Sequence, residues 1–341
     1  MSTTLDPHAI EKEIALIREK ESNPYSAGTK TNLFTLLVFR QENAAAPASA
    51  AGAAAVGAAS ALGAMDPAER ALAFLLGKRP ARIITVTRVS SPRTEALVSG
   101  RCFPDKRNRG VCFEEVRIEA GDDGLGVDPG AWAPLLIRDL PVFAWMPDGP
   151  EIENAPWEAS LRSADGLIDK LLVDTSRSEA GDAAAELRAL LRLRESTASA
   201  IPLSDFSWRR GRVLREQTAR AFDAPDMREQ LSSLRAVRLY GGAPYEASLY
   251  FHWLQTRLAR SLSVDHAAAG PLSEGFRVTF TIEGFPEVDI GCTKGGCLSR
   301  GEEKGAYRFP SDGEILLEEV DTLVRDPIFL DVLTQASRKG R

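Results

Sequence analysis

Leu135-Leu136-Ile137-Arg138-Asp139-Leu140-Pro141-Val142-Phe143-Ala144-Trp145-Met146 decides the fold. It reads as the end of a helix, a turn through Arg138, Asp139 and Leu140, and a short strand after Pro141. Val142 to Met146 are apolar without alternation, the pattern of a strand covered on both faces, as in a parallel sheet between helices. Pro141 suits the first strand position, where a missing N–H does least harm. Burial of Val142, Phe143 and Trp145 contributes roughly 1.5–3 kcal/mol each. That sum is comparable to the net stability of a whole domain.

Outward from this stretch, strands and helices alternate. Asp6-Pro7 opens a first helix, with Asp as N-cap and Pro at the first helical position. Leu33–Phe39 reads as a buried strand. Asp66-Pro67-Ala68-Glu69 repeats the helix-start signal in the form of a capping box, and the helix ends at Gly77. Ala81–Val89, Thr94–Cys102 and Val111–Ile118 read as further strands, the last with a phase shift at Glu114-Glu115 that predicts a bulge. Asp128-Pro129 starts the helix that leads into the central strand. Pro156 opens another, and Leu167–Val173 is a strand that ends at Asp174. The alternation predicts an α/β sheet flanked by helices.

Beyond residue 180 the pattern changes. Ala180–Glu195 and Leu203–Phe222 read as helices, Met227–Ser232 as a short one, Ala236–Tyr240 as a strand and Tyr245–Leu262 as a long helix. Phe276–Ile282, Val288–Cys292, Cys297–Arg300 and Ala306–Phe309 predict an antiparallel meander, closed by helices at Gly313–Val324 and Pro327–Leu333. The expected division is an N-terminal α/β domain over 1–180 and a C-terminal α+β domain over 203–341. Residues 43–65 are mostly Ala with Gly, Ser and Pro, too weakly apolar for a membrane span. They read as a low-complexity insertion in the first domain.

The 341 residues carry 42 Lys and Arg against 48 Asp and Glu, a net charge of −6. That argues against a broad nucleic-acid surface. Four cysteines in this length make no disulfide scaffold. No secretory signal is read at the N-terminus, so the expected location is cytoplasmic, away from membranes.

Several segments resemble, in order and spacing, a known family: the glucose-6-phosphate dehydrogenase assembly protein family, OpcA. Arg82-Ile83-Ile84-Thr85-Val86 is similar to its Ser-Arg-Ile-Ile-Val-Val strand. Leu135-Leu136 with Asp139-Leu140-Pro141-Val142-Phe143-Ala144-Trp145 resembles its Leu-Leu-x-x-Asp-Leu-Pro-Val-x-x-Trp segment. Ala164-Asp165 with Leu172-Val173-Asp174-Thr175, and Asp205-Phe206-Ser207-Trp208-Arg209 with Leu214-Arg215-Glu216, resemble two more. Met146 and Leu214 stand where the family commonly has Trp, and a two-residue insertion falls at Asp169-Lys170. The resemblance covers about residues 10–260. It implies a non-enzymatic accessory protein that binds glucose-6-phosphate dehydrogenase and promotes its assembly or activity in the oxidative pentose phosphate pathway. In photosynthetic bacteria the family is also tied to thiol redox control.

The residues themselves offer little catalytic chemistry. There is no phosphate-binding Gly-rich loop, nucleophile elbow or His-Glu-x-x-His, and His8, His252 and His266 are scattered. No cofactor or metal is expected. The alternative reading is a sugar-phosphate enzyme such as a lactonase, with carboxylates like Asp174 converging at strand ends. For partner binding the candidates are Trp208, Arg209, Arg212 and Arg215, because Trp and Arg are enriched at interface hot spots. The other reading of that helix is Trp208 in the core with solvated arginines. Cys292 and Cys297 flank a Gly-rich turn and form a candidate redox pair facing each other across a hairpin, the alternative being two inert thiols. Cys102 and Cys112 are expected on neighbouring strands.

Overall fold

The computed structural model describes residues 2–4, 6–22, 32–41, 66–76, 78–104, 110–121, 127–149, 156–164, 166–177, 183–195, 201–270, 272–293, 296–299, 302–303 and 308–338. The expected insertion at 43–65 lies outside them. The chain divides into two compact units. The first takes Met1–Val173, Glu195–Leu203 and Asp312–Val324; the second takes Asp174–Arg194, Ser204–Ser311 and Arg325–Arg341. The units interleave in sequence, where the expected domains are contiguous.

The first unit is built on an eight-stranded sheet. Its strands are β1 (Ser2–Thr4), β2 (Thr35–Gln41), β3 (Arg82–Arg88), β4 (Glu95–Pro104), β5 (Gly110–Ala120), β6 (Val142–Met146), β7 (Lys170–Val173) and β8 (Leu203–Asp205), in spatial order β1-β4-β5-β3-β2-β6-β7-β8. From β5 through β7 neighbours run parallel, while β4 and β1 add antiparallel strands at one side. All five residues of β6 are buried, as its continuous apolar run requires. Leu36 of β2 sits opposite Phe143 and Val38 opposite Trp145. Phe34 meets Phe143 edge-on with ring centroids 5.6 Å apart, and Phe39 meets Trp132 at 5.9 Å. The Arg138–Leu140 turn is real, with Asp139 in the left-handed region at φ 67°.

Two local expectations are corrected. β5 has no bulge: its register with β3 and β4 runs unbroken through Glu114 and Glu115. The apparent phase shift arises because Glu114 is buried, accepting from Arg82 Nε at 2.8 Å and Asn32 Nδ2 at 3.1 Å. The helix expected over Leu203–Phe222 is a short strand followed by two helices, Phe206–Arg210 and Arg212–Ala221, joined at Gly211.

Helix Asp312–Val320 belongs to the first unit, packed on helix Pro67–Leu75. Their approach is close: a Cβ on Gly313 would stand 2.5 Å from the Phe74 Cβ. From this helix Glu319 pairs with Lys170 of β7 at 2.6 Å, both side chains 3% exposed or less. The same ammonium donates to the carbonyls of Glu319 and Thr322.

The second unit carries β9 (Leu234–Tyr240), β10 (Ser263–Ala267), β11 (Gly275–Ile282), β12 (Val288–Thr293), β13 (Gly296–Ser299) and β14 (Glu302–Glu303), in order β10-β9-β11-β12-β13-β14. The meander is antiparallel from β9 to β14, but β10 pairs parallel with β9 across helix Pro244–Leu258. This βαβ turns at Gly241, where φ is 90° and a Cβ would lie 2.7 Å from the Gly275 carbonyl oxygen. Val237, Leu239, Val278, Phe280 and Ile290 point inward with Leu214, Tyr250 and Leu254 of the covering helices in one apolar core.

Candidate partner-binding site

Asp205 caps helix Phe206–Arg210, its carboxylate accepting from Ser207 N at 3.0 Å. That start turns Trp208 inward, where it is 2% exposed. Its indole N–H donates to Asp326 at 2.7 Å and its ring stacks on Phe329 at 5.4 Å. The Arg215 guanidinium lies 3.3 Å from the Trp208 ring centroid and donates to the Trp208 carbonyl at 2.8 Å. Desolvation lowers the Arg215 pKa to about 9, against the Asp326 charge that raises it. Arg212 is exposed and pairs with Glu216 one turn on, at 2.7 Å. Arg209 is half-buried. The structure therefore keeps Trp208 and Arg215 together, inside the unit, and leaves Arg212 at its surface.

Arg210 turns inward to Asp174, donating to both carboxylate oxygens at 2.9 and 2.6 Å. Asp174 also accepts from the Ser176 hydroxyl at 2.7 Å. Burial pushes its pKa up, but Arg210, Ser176 and Arg177 outweigh that and hold it below the ordinary carboxylate value. Asp205 beside it is pushed up to about 7, first by burial and then by the Asp174 charge, against donors from Thr175 and Ser207. Asp174, the carboxylate that the enzyme alternative places at a strand end, is thus enclosed and engaged on both oxygens.

Cys292 and Cys297 are paired across β12 and β13, disulfide-bonded and 0% and 1% exposed. Lys294 and Gly295 of the turn lie outside the described residues. Cys102 and Cys112 sit opposite one another in the β4–β5 register. His266 Nε2 lies 3.2 Å from the Gly242 carbonyl oxygen. Among the described residues, no group of three or more His, Cys, Asp or Glu could hold a metal, and no helix is long and apolar enough to cross a membrane.

A site the sequence did not single out lies at the C-terminal ends of β2 and β6. Strand order reverses at β2, with β3 on one side and β6 on the other. In doubly wound sheets that point is where a ligand enters, with phosphate at the first crossover helix. Here Arg40 of β2 fills it, donating to Asp148 just past β6 at 3.2 and 3.1 Å. Asp66, the N-cap of the crossover helix, also pairs with Arg40, and Glu69 lies 3.6 Å away. Glu69 is thus turned toward Arg40, and toward Arg117 at 3.8 Å, at the helix start. Three carboxylates around one half-buried guanidinium oppose a dinucleotide phosphate there. The sequence signal was positional: Arg40 and Asp148 follow the apolar runs of adjacent parallel strands.

The chain is thus a two-unit α/β protein whose strand-order reversal carries its own ion pairs. Residues 75–192 match the family model described as the glucose-6-phosphate dehydrogenase subunit N-terminal domain, and residues 201–333 match the C-terminal domain of the same description. The chain belongs to the OpcA family. It is 28% identical over 187 residues to a protein of Nostoc punctiforme and 26% identical over 190 residues to one of Synechocystis sp., both named "Putative OxPP cycle protein OpcA". These matches cover 53% and 54% of the chain and 38% of each relative. The chain thus matches well under half the length of those relatives. An aldose-aldose oxidoreductase of Caulobacter crescentus overlaps 90% of this chain and 98% of its own, at 9% identity and a TM-score of 0.38. That likeness is too distant to carry an argument.

Proposed function

We propose that the protein binds glucose-6-phosphate dehydrogenase in the cytoplasm and promotes its assembly or activation in the oxidative pentose phosphate pathway, without catalysing a step itself. The observation that carries this is the ordered match of both halves of the chain to models described as parts of a glucose-6-phosphate dehydrogenase subunit. The carboxylate-lined guanidinium at the strand-order reversal supports a non-catalytic role, since it occupies the place a nicotinamide dinucleotide would need. The enclosed Asp174–Arg210 pair weighs against the lactonase alternative in the same way. Of the Trp/Arg cluster, Arg212 is the side chain with an exposed charge to offer a partner.

The test is to titrate the purified protein into the dehydrogenase of the same cell while following NADPH formation and oligomer mass. Binding at micromolar concentration is expected, with higher activity at limiting substrate or a larger share of active oligomer. The protein alone should leave NADPH fluorescence unchanged and hydrolyse no 6-phosphogluconolactone. No complex at micromolar concentration, with oxidised and with reduced protein, would defeat the proposal.

A further inference from the structure

Arginines drawn inward in this chain are met by carboxylates. Buried Arg82 pairs with Glu11 and Glu114, buried Arg210 with Asp174, and half-buried Arg40 with Asp66 and Asp148. Arg215 is the contrast. It is half-buried, its guanidinium lies over the Trp208 ring, and its hydrogen bond goes to the Trp208 carbonyl. No described carboxylate pairs with it.

Two carboxylates stand near enough to act on Arg215, and both are engaged elsewhere. Asp326 accepts from the Trp208 indole and from the backbone N–H groups of Ile328 and Phe329. Glu216 pairs with Arg212. Burial first, then the like charges of Arg209 and Arg212, push the Arg215 pKa down to about 9 against Asp326 and Glu216. At Arg40 the carboxylates outweigh burial and the pKa goes up. A charge taken out of water is ordinarily paired. The place is nonetheless shaped for this guanidinium. Gly211 has φ −68°, which any residue adopts, yet a Cβ there would stand 3.1 Å from Arg215 Nη1. Beside it Ile328, in the first turn of helix Pro327–Arg338 and next to the Phe329 that stacks on Trp208, is 40% exposed.

We propose that a carboxylate side chain of a partner protein completes Arg215, with Ile328 as the apolar contact beside it. This rests on the reading of the chain as a binder of glucose-6-phosphate dehydrogenase, and it puts the carboxylate on that enzyme. Charge chooses the occupant. One carboxylate supplies the single charge that Arg215 lacks, while Glu216 and Asp326 close by oppose a phosphate dianion. The planar guanidinium suits a carboxylate, which it can hold through two parallel hydrogen bonds. An arginine held rigid on an aromatic ring, with an apolar neighbour, is the kind of side chain that carries interface affinity.

The test sets stability against binding. Arg215→Met keeps an extended side chain over Trp208 and removes the charge. Its melting temperature should stay within a few degrees of wild type or rise, because no carboxylate of the chain loses its partner. Its affinity for purified glucose-6-phosphate dehydrogenase should fall at least about tenfold. Arg215→Lys, which keeps the charge without the planar fork, should bind between the two. Thermal melts of the free proteins and calorimetric titration into the dehydrogenase read both effects. An Arg215→Met variant that binds like wild type overturns the proposal and leaves the wider function standing. One that melts more than a few degrees lower also overturns it, since Arg215 would then serve the fold. No complex with wild type overturns both.

Discussion

Arg40 and Asp148 leave the ends of two adjacent parallel strands and join through two hydrogen bonds, 3.2 and 3.1 Å long, where the strand order of the sheet reverses. Asp148 also accepts from the Gln41 backbone N–H at 3.3 Å. Asp148→Ala removes these acceptors and leaves Arg40, 11% exposed, with Asp66 and Glu69. The expected loss is about 2 kcal/mol, the scale of hydrogen bonds to charged groups. Urea unfolding of wild type and variant measures it, and coincident curves would show the pair contributes nothing to stability.

Lys170 and Glu319 give a larger effect because both are buried. Lys170→Met leaves an uncompensated carboxylate and should cost about 3–5 kcal/mol. Lys170→Met with Glu319→Leu should recover much of that loss, because no charge then remains buried. A double variant as unstable as the single one would refute the pairing as the cause.

Asp205 makes stability depend on pH. Its folded pKa of about 7 lies above the ordinary carboxylate value. The folded state therefore holds a proton that the unfolded chain has released, and its contribution is full below the unfolded pKa and lost as pH rises through about 7. Unfolding free energy should fall between the two values, with a slope of at most about 1.4 kcal/mol per pH unit. Asp174 has its pKa lowered, so its own contribution is lost only at more acid pH. Asp205→Asn should flatten the slope, which denaturation at stepped pH would reveal.

The Cys292–Cys297 bond closes a loop of sequence separation 5 in the core of the second unit. Chain entropy gives such a loop about 2 kcal/mol. Alkylation followed by mass spectrometry should find both residues unlabelled without reductant and labelled after reduction and unfolding. The reduced protein should melt a few degrees lower, as roughly that energy implies. Full labelling of oxidised, native protein would show that the thiols are free.

Phe143→Asp should abolish folding of the first unit, because it sets an unpaired charge at a position 1% exposed in the central strand. Wild-type circular dichroism and melting would refute that.

The apolar runs of β2, β3 and β6 announce a parallel sheet because nothing but double-sided burial accounts for them. Elements that lack such a signal are the ones misread. Strand β10, Ser-Val-Asp-His-Ala, is exposed at four of its five positions and shows no apolar rhythm. Glu114-Glu115 reads as a bulge, yet Glu114 lies in unbroken register, buried against Arg82, a partner 32 residues earlier. Helix Asp312–Val320 reads correctly as a helix, but local sequence says nothing of the unit it joins. The Trp208 cluster was ambiguous for a chemical reason. Arg stacks on Trp within a core as readily as across an interface, and Arg215 takes the first course. Arg40 escaped notice because a strand-end arginine is unremarkable until the sheet order is known.

The return of helix Asp312–Val320 to the first unit has a consequence for biosynthesis. Every strand of the first sheet has been translated once Asp205 is made, yet Lys170 of β7 still has more than a hundred residues to wait for Glu319. Until then its ammonium has no carboxylate at that position, and helix Pro67–Leu75 has no helix over Gly313's place. The first half of the chain therefore emerges from the ribosome as an unfinished body. It closes only once Glu319 has been made, and the second unit, whose last segment is Arg325–Arg341, is completed later still.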